Sequence, residues 1–285
     1  MSLVRLTGAA DLISPTVVVA FDAWVDAGSA SSTAAQQLAD RGSMLASFDA
    51  DVLYDYRARR PTLDIIDGRP ASLDWPELTL RRTRLAERDV LVLSGPEPDF
   101  RWRELASELA SLARHLEVDQ WISLGAIPAA VPHTRPVPVL GTESSPGLLR
   151  GGVRPGPDGL LRVPSAALSV LDITVAEAGI PAIGYFAQIP HYVSGQYPAA
   201  AVELLRAIEA HLGVDISVRT LQDEADQMRI RLDTATALDE KTRAYVTRLE
   251  GMVDEARLPS GDELITEIER FLRERGTEPG GGRIH

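Results

Sequence analysis

The chain has 285 residues, 45% of them apolar, and a formal net charge of −12. That length builds one large domain, or one domain with an extension, and the negative charge sets it against phosphate backbones. Cysteine is absent, which removes disulfides, thiolate nucleophiles and thiolate metal sites and fits a reducing cytoplasm; Lys241 is the single lysine among 29 basic residues, which argues against a Walker A loop, a pyridoxal-phosphate Schiff base or paired phosphate-binding lysines.

Residues 1–13 show no charged start followed by an apolar core, so no signal peptide is expected, and no apolar run approaches the ~20 residues that cross a bilayer. "TVVVAFD" (16–22) is a β-branched run of buried-strand type, followed by an Ala/Gln/Leu-rich helix stopped at Gly42. "SMLASFDADVLYDY" supplies one or two strands, and residues 57–77, rich in Pro, Arg and Asp, read as a long surface loop. "ELTLRRTRL" and "DVLVLSGPEP" form a hairpin-like pair; the arginines of the first read as a solvated strand face, not as a nucleic-acid site.

From Trp102 the pattern is helical, with Leu105, Leu109, Leu112, Ala113 and Leu116 on one stripe. "DQWISLGAI" is the next strand, and "VPVLGTE" is a short strand within a Pro/Gly-rich stretch. "PSAALSVLDITVAEAG" is a helix with Pro164 near its first turn and Gly179 at its end. "IPAIGYFAQIP" is a strand, and "YPAAAVELLRAIEAHLG" is a helix reaching Gly213. Alternating strands and helices define an α/β domain over residues 1–215. Residues 216–275 form a helical C-terminal region, either one helix with a phase slip or two bending near Thr236, with a capping box at Ser260 and Glu263 opening a last helix. Residues 276–285 read as a disordered tail.

Three segments in order, "AFDAWVDAGSASSTAAQQL", "GAIPAAVPHTRPVPV" and "VPSAALSVLDITVAEAGIPAIGYFAQIPHYVSGQYPAAAVELLRAI", resemble the PAC2 family, named after proteasome assembly chaperone 2, and in particular its bacterial, actinobacterial branch. The resemblance implies a three-layer α/β fold akin to the purine nucleoside phosphorylase and phosphorylase/hydrolase-like group, and self-association. Its eukaryotic members help assemble proteasome α-rings and are not enzymes. Many relatives carry an acidic residue where this chain has Ser29.

Polar groups fall at the carboxyl ends of the strands, where open α/β sheets bind ligands. Asp22, Asp26, Gly28 and Ser29 follow the first long strand; their turn either holds an anion on its N–H groups or caps the helix with its serines. His133 and Arg135, with Glu143 beyond, and the pair His191–Tyr192 follow two later strands, each histidine behind a proline that stiffens its turn. If those strands are parallel neighbours, both turns reach one edge. Each imidazole then serves as a base or donor, or locks its loop by bonding backbone carbonyls. The histidine spacings suit no zinc motif, and neither Ser165 nor Ser194 sits in a nucleophile elbow. The expectation is a cytoplasmic, non-catalytic protein that uses no cofactor or metal and contacts neither nucleic acid nor membrane. It associates with itself, a trimer being admissible, and with another protein. The alternative is a hydrolase- or phosphorylase-like enzyme acting on a small polar metabolite at this edge.

Overall fold

The computed structural model describes residues 3–7, 11–22, 24–157 and 159–257. In chain order the elements are β1 Val4–Leu6, β2 Thr16–Asp22, a 3-10 turn Ala27–Ser29 leading into α1 Ala30–Ala39, β3 Ser43–Phe48, α2 Ala50–Leu53, β4 Thr62–Ile66, β5 Arg69–Asp74, β6 Thr79–Leu85, β7 Arg88–Pro96 and α3 Trp102–His115. There follow β8 Gln120–Ala129, β9 Val139–Glu143, α4 Ala167–Glu177, β10 Ala182–Pro190, α5 Pro198–Leu212, α6 Arg219–Leu238 and α7 Glu240–Arg257.

Eight strands make one sheet in the order β1-β3-β6-β7-β2-β8-β10-β9. Its centre, β7-β2-β8-β10, is parallel, and both flanks are antiparallel. Helices cover both faces, which is why the residues of "TVVVAF" are buried without alternation. On one face α3 and α4 press Leu105, Leu109, Leu168 and Leu171 onto Val17, Val19, Leu91 and Leu93. On the other, α1 and α5 press Ala34, Leu204, Leu205 and Ile208 onto Val18, Val90, Val92 and Ile122. Each such Leu, Ile or Val side chain contributes about 1.5–3 kcal/mol by leaving water. The fold is a mixed α/β sheet between helical layers.

Several local expectations change. Residues 57–77 are not an unstructured loop: β4 and β5 pair as an exposed hairpin through Asp67 and Gly68, both with positive φ, the turn that an Asp-Gly pair favours. Of the one or two strands expected in "SMLASFDADVLYDY", one forms, β3, and Asp49 then opens the helical turn α2. Helix α1 ends at Ala39. Gly42 is needed instead for close approach, since a Cβ there would meet the Arg82 carbonyl oxygen at 3.0 Å. Pro164 lies before α4, whose first amide, Ala167 N–H, donates to Glu97 Oε1 at 2.6 Å. The arginines of β6 are engaged: Arg82 and Arg84 pair with buried Asp89, and Arg81 donates to the Gly42 carbonyl.

The C-terminal region forms two helices that part at Asp239, not Thr236; Asp239 Oδ2 accepts the Thr242 amide at 3.1 Å, capping α7. That break rotates the apolar stripe. Val246 and Leu249 are buried, whereas Tyr245 and Met252 are exposed. Leu221 and Ala225 bury α6 against α5. The last helix with its capping box, and the tail at 276–285, lie outside the described residues. No described helix is long and apolar enough to cross a membrane.

Candidate functional site

Strands β8 and β10 run parallel with Ala129 opposite Pro190, so the two Pro-His turns leave the sheet side by side. The His191 amide donates to the Ala129 carbonyl at 3.1 Å, tying the second turn to the end of the first strand. Tyr192 then reaches His133: its hydroxyl oxygen accepts the His133 amide at 2.8 Å and lies 2.7 Å from Nδ1. A phenol oxygen that accepts one hydrogen bond has its own proton to give, so Tyr192 donates to Nδ1. That sets His133 as the neutral tautomer with its proton on Nε2, aimed at Asp233 Oδ1 of α6, 3.2 Å away. The imidazole is fully buried; burial holds its pKa below the usual histidine value, and the Asp233 carboxylate opposes this.

The same logic gives His191 the other tautomer. Its Nδ1–H donates to the Ala129 carbonyl at 3.0 Å, and its Nε2 accepts from the Tyr245 hydroxyl of α7 at 3.1 Å. Thr134 donates to Glu250. Arg135 places Nη1 3.2 Å from Glu250 Oε1 and Nη2 2.7 Å from Asp254 Oδ2. Side chains of α6 and α7 therefore cover both turns with carboxylates matched to the histidine, threonine and arginine. Between α5, α6 and the first turn a cleft of about 290 Å³ remains, and its cations are met by Glu203, Asp233 and the carboxylates of α7.

Asp26 lies at this end of the sheet, bridged to Ala126, but its carboxylate turns back to α1. Oδ1 accepts the Ser31 amide at 2.7 Å, the Ser31 hydroxyl at 2.6 Å and the Ser32 amide at 3.2 Å. Burial raises its pKa, and the serine hydrogen bonds oppose that shift. The helix N-terminus is thus supplied with an anion from its own chain. Gly28, with φ +62°, brings the turn against α5, where a Cβ would fall 2.8 Å from the Tyr197 Cβ, and Ser29 shares the left-handed conformation. Asp22 ends β2, exposed, beside a separate hollow lined by Ser32, Arg81 and Ser94.

Glu143 is not at this edge. It pairs with Ile183 near the start of β10, eight residues before His191, or roughly 26 Å along an extended strand. Its Oε2 accepts the amides of Leu149 and Leu148 at 3.0 and 2.7 Å, which holds the carboxyl below its usual pKa. Near it lies a group the sequence reading passed over. Asp172 of α4 accepts Trp121 Nε1–H at 3.1 Å and the Ser123 hydroxyl, both on Oδ1, and burial pushes its pKa up to about 7. The available signal was its place on a helix stripe with Ser169, Ile173 and Glu177.

Comparison with known proteins agrees with this architecture. Residues 20–236 match the PAC2 family. A Corynebacterium glutamicum protein of unknown function is 31% identical with a TM-score of 0.83, over 89% of this chain and 98% of that one. A Mycobacterium tuberculosis protein of unknown function is 30% identical with a TM-score of 0.82, over 89% and 91%. A Mycobacterium tuberculosis proteasome-assembly chaperone homologue is 34% identical with a TM-score of 0.74, over 81% and 99%. No curated protein matches the sequence. With a family match over most of its length and relatives that share both sequence and fold, the chain belongs to the PAC2 family.

Proposed function

We propose that this protein is a non-catalytic, self-associating assembly or interaction protein of the cytoplasm, working with copies of itself and with another protein. One observation carries the reading: the polar groups at the carboxyl edge are committed to the fold. Asp26 caps α1, His133 bridges Tyr192 and Asp233, His191 bridges Ala129 and Tyr245, and Arg135 binds Glu250 and Asp254. A hydrolase or phosphorylase would need several of these groups turned toward a substrate. Kinship with the purine nucleoside phosphorylase-like group, on this proposal, extends to the scaffold and not to the chemistry. Residues 1–215 are the α/β body, and the helical region from 216 seals its edge.

The hairpin β4–β5 supports self-association. A lone two-stranded ribbon is marginally stable in water, yet this one exposes Leu63, Ile65, Ile66 and Leu73, with Trp75 at its root against Tyr56. Light scattering behind size exclusion, over a range of protein concentrations, tests the proposal. A closed oligomer such as a trimer is expected, and Ile65→Asp should shift it toward monomer. A strictly monomeric wild-type chain overturns self-association.

A further inference from the structure

We propose that the groove between α4 and the β9–β10 edge of the sheet binds a small organic cation, a primary ammonium carried on a short apolar body. The proposal is independent of the assembly role, because the groove lies away from both Pro-His turns.

The groove follows from two periodicities. Along α4, Leu168, Leu171 and Val175 are buried in the layer shared with α3. The adjoining stripe, Ser169, Asp172, Ile173, Ala176 and Glu177, has the i, i+3, i+4, i+7, i+8 spacing of a single helix face and lines the groove. The strands supply the floor. Phe186 lies across Gly125 and Gly184: a Cβ on Gly125 would come 2.4 Å from the Phe186 ring, and one on Gly184 would come 2.5 Å from Thr142 Oγ1. The two glycines thus let the Phe186 ring lie down on the sheet, where it forms the floor of the groove. Its volume is about 420 Å³, at the small end of ligand sites.

The chemistry selects the ligand's charge. Both hydrogen bonds to Asp172 fall on Oδ1, from Trp121 and Ser123, and no described residue bonds Oδ2. Glu143 stands at the rim from β9 and Glu177 from α4, while β10 contributes Ala182, Ile183 and Phe186. No lysine, arginine or histidine lines the groove among the described residues. An anion would meet three carboxyl groups. A metal ion lacks ligands, since no three described acidic or histidine residues are close enough together to hold one. An ammonium group meets every requirement. Its three N–H donors can reach Asp172 Oδ2 and the hydroxyls of Thr142, Ser144 or Ser169, and its apolar body can lie on Ile173 and the Phe186 ring. Asp172 is the positioning charge. Burial keeps it half-neutral near pH 7, and a bound cation would draw off its proton.

The test titrates the full chain at pH 8 with 2-phenylethylamine, followed by saturation-transfer NMR and calorimetry, with 2-phenylethanol as the neutral counterpart. Saturable amine binding is expected, weakened at least about tenfold by Asp172→Asn and by acidification to about pH 5.5, where the carboxyl is protonated. Asn can still accept the Trp121 and Ser123 hydrogen bonds, so the variant should fold; its near-UV circular dichroism checks this. Ala176→Leu, which fills the groove and leaves the carboxyl in place, should also abolish binding. Absence of saturation, equal binding by Asp172→Asn, or equal binding of the alcohol would each overturn the proposal. None of these outcomes bears on oligomeric state, so the groove and the assembly role stand or fall separately.

Discussion

The carboxyl edge at the Pro-His turns and the groove along α4 both gather polar side chains against the same sheet, yet they are opposite in finish. At the edge each donor has an acceptor: His133 has Tyr192 on one side and Asp233 on the other, and Arg135 has two carboxylates. In the groove Asp172 has both partners on one oxygen, and burial pushes its pKa up to about 7. Reciprocally paired groups rigidify a fold, whereas a carboxyl with both protein partners on one oxygen keeps the other open to solvent or a ligand. Residue type at a strand end is therefore a poor guide to a working site. The number of unmet hydrogen bonds is a better one.

The contrast breaks most visibly at His133. His133→Ala leaves the Tyr192 hydroxyl and a void beneath α6, and should cost about 2–3 kcal/mol in urea denaturation at pH 8. The same residue gives the edge an acid limb. Its folded-state pKa lies below the unfolded value, so the unfolded chain takes the proton first, and stability falls as pH drops below about 6.5. The alanine variant should lose that part of the slope; an unchanged acid limb would place the titration elsewhere, for instance at His211, whose pKa burial pushes down to about 4.

The groove should respond in the opposite sense. Asp172 has a raised folded-state pKa, so its proton is favoured by folding and wild-type stability declines as pH rises from about 4 to about 7. Asp172→Asn removes that penalty. At pH 8 it should stabilise the protein by about 1–2 kcal/mol, allowing for the groove's access to water, and the gain should vanish toward pH 4. A destabilised variant at pH 8 would mean that the ionised carboxylate is satisfied after all. The smallest effect is expected at His191, which is exposed; His191→Ala should change stability by less than about 0.5 kcal/mol, though it frees the Tyr245 hydroxyl. A larger loss would show that α7 depends on this contact for docking.

Much of the body was legible because its signals are local. "TVVVAFD" is unmistakable as a strand buried on both faces, and the two prolines before His133 and His191 marked turns that parallel strands bring together. The hairpin at 62–74 was missed: its Asp67-Gly68 turn was present, but the surrounding Arg, Pro and Asp composition looked like a loop. Asp172 was not legible, because an acid at that point of an amphipathic helix has the pattern of a solvated face, and Trp121 and Ser123 lie 51 and 49 residues away.

By itself the sequence determined the central strands, most helix boundaries and the family likeness, and that the two Pro-His turns would meet if their strands ran side by side, all matters of periodicity, turn chemistry and neighbouring register. Only the tertiary structure decided what those groups do. Asp233 on α6 and Glu250 and Asp254 on α7 are a few acids among many until the two helices fold back across 100 to 119 residues to meet His133, Thr134 and Arg135. Hydrogen bonding saturates, so a donor's role depends on whether an acceptor arrives, and arrival is a property of the packed chain.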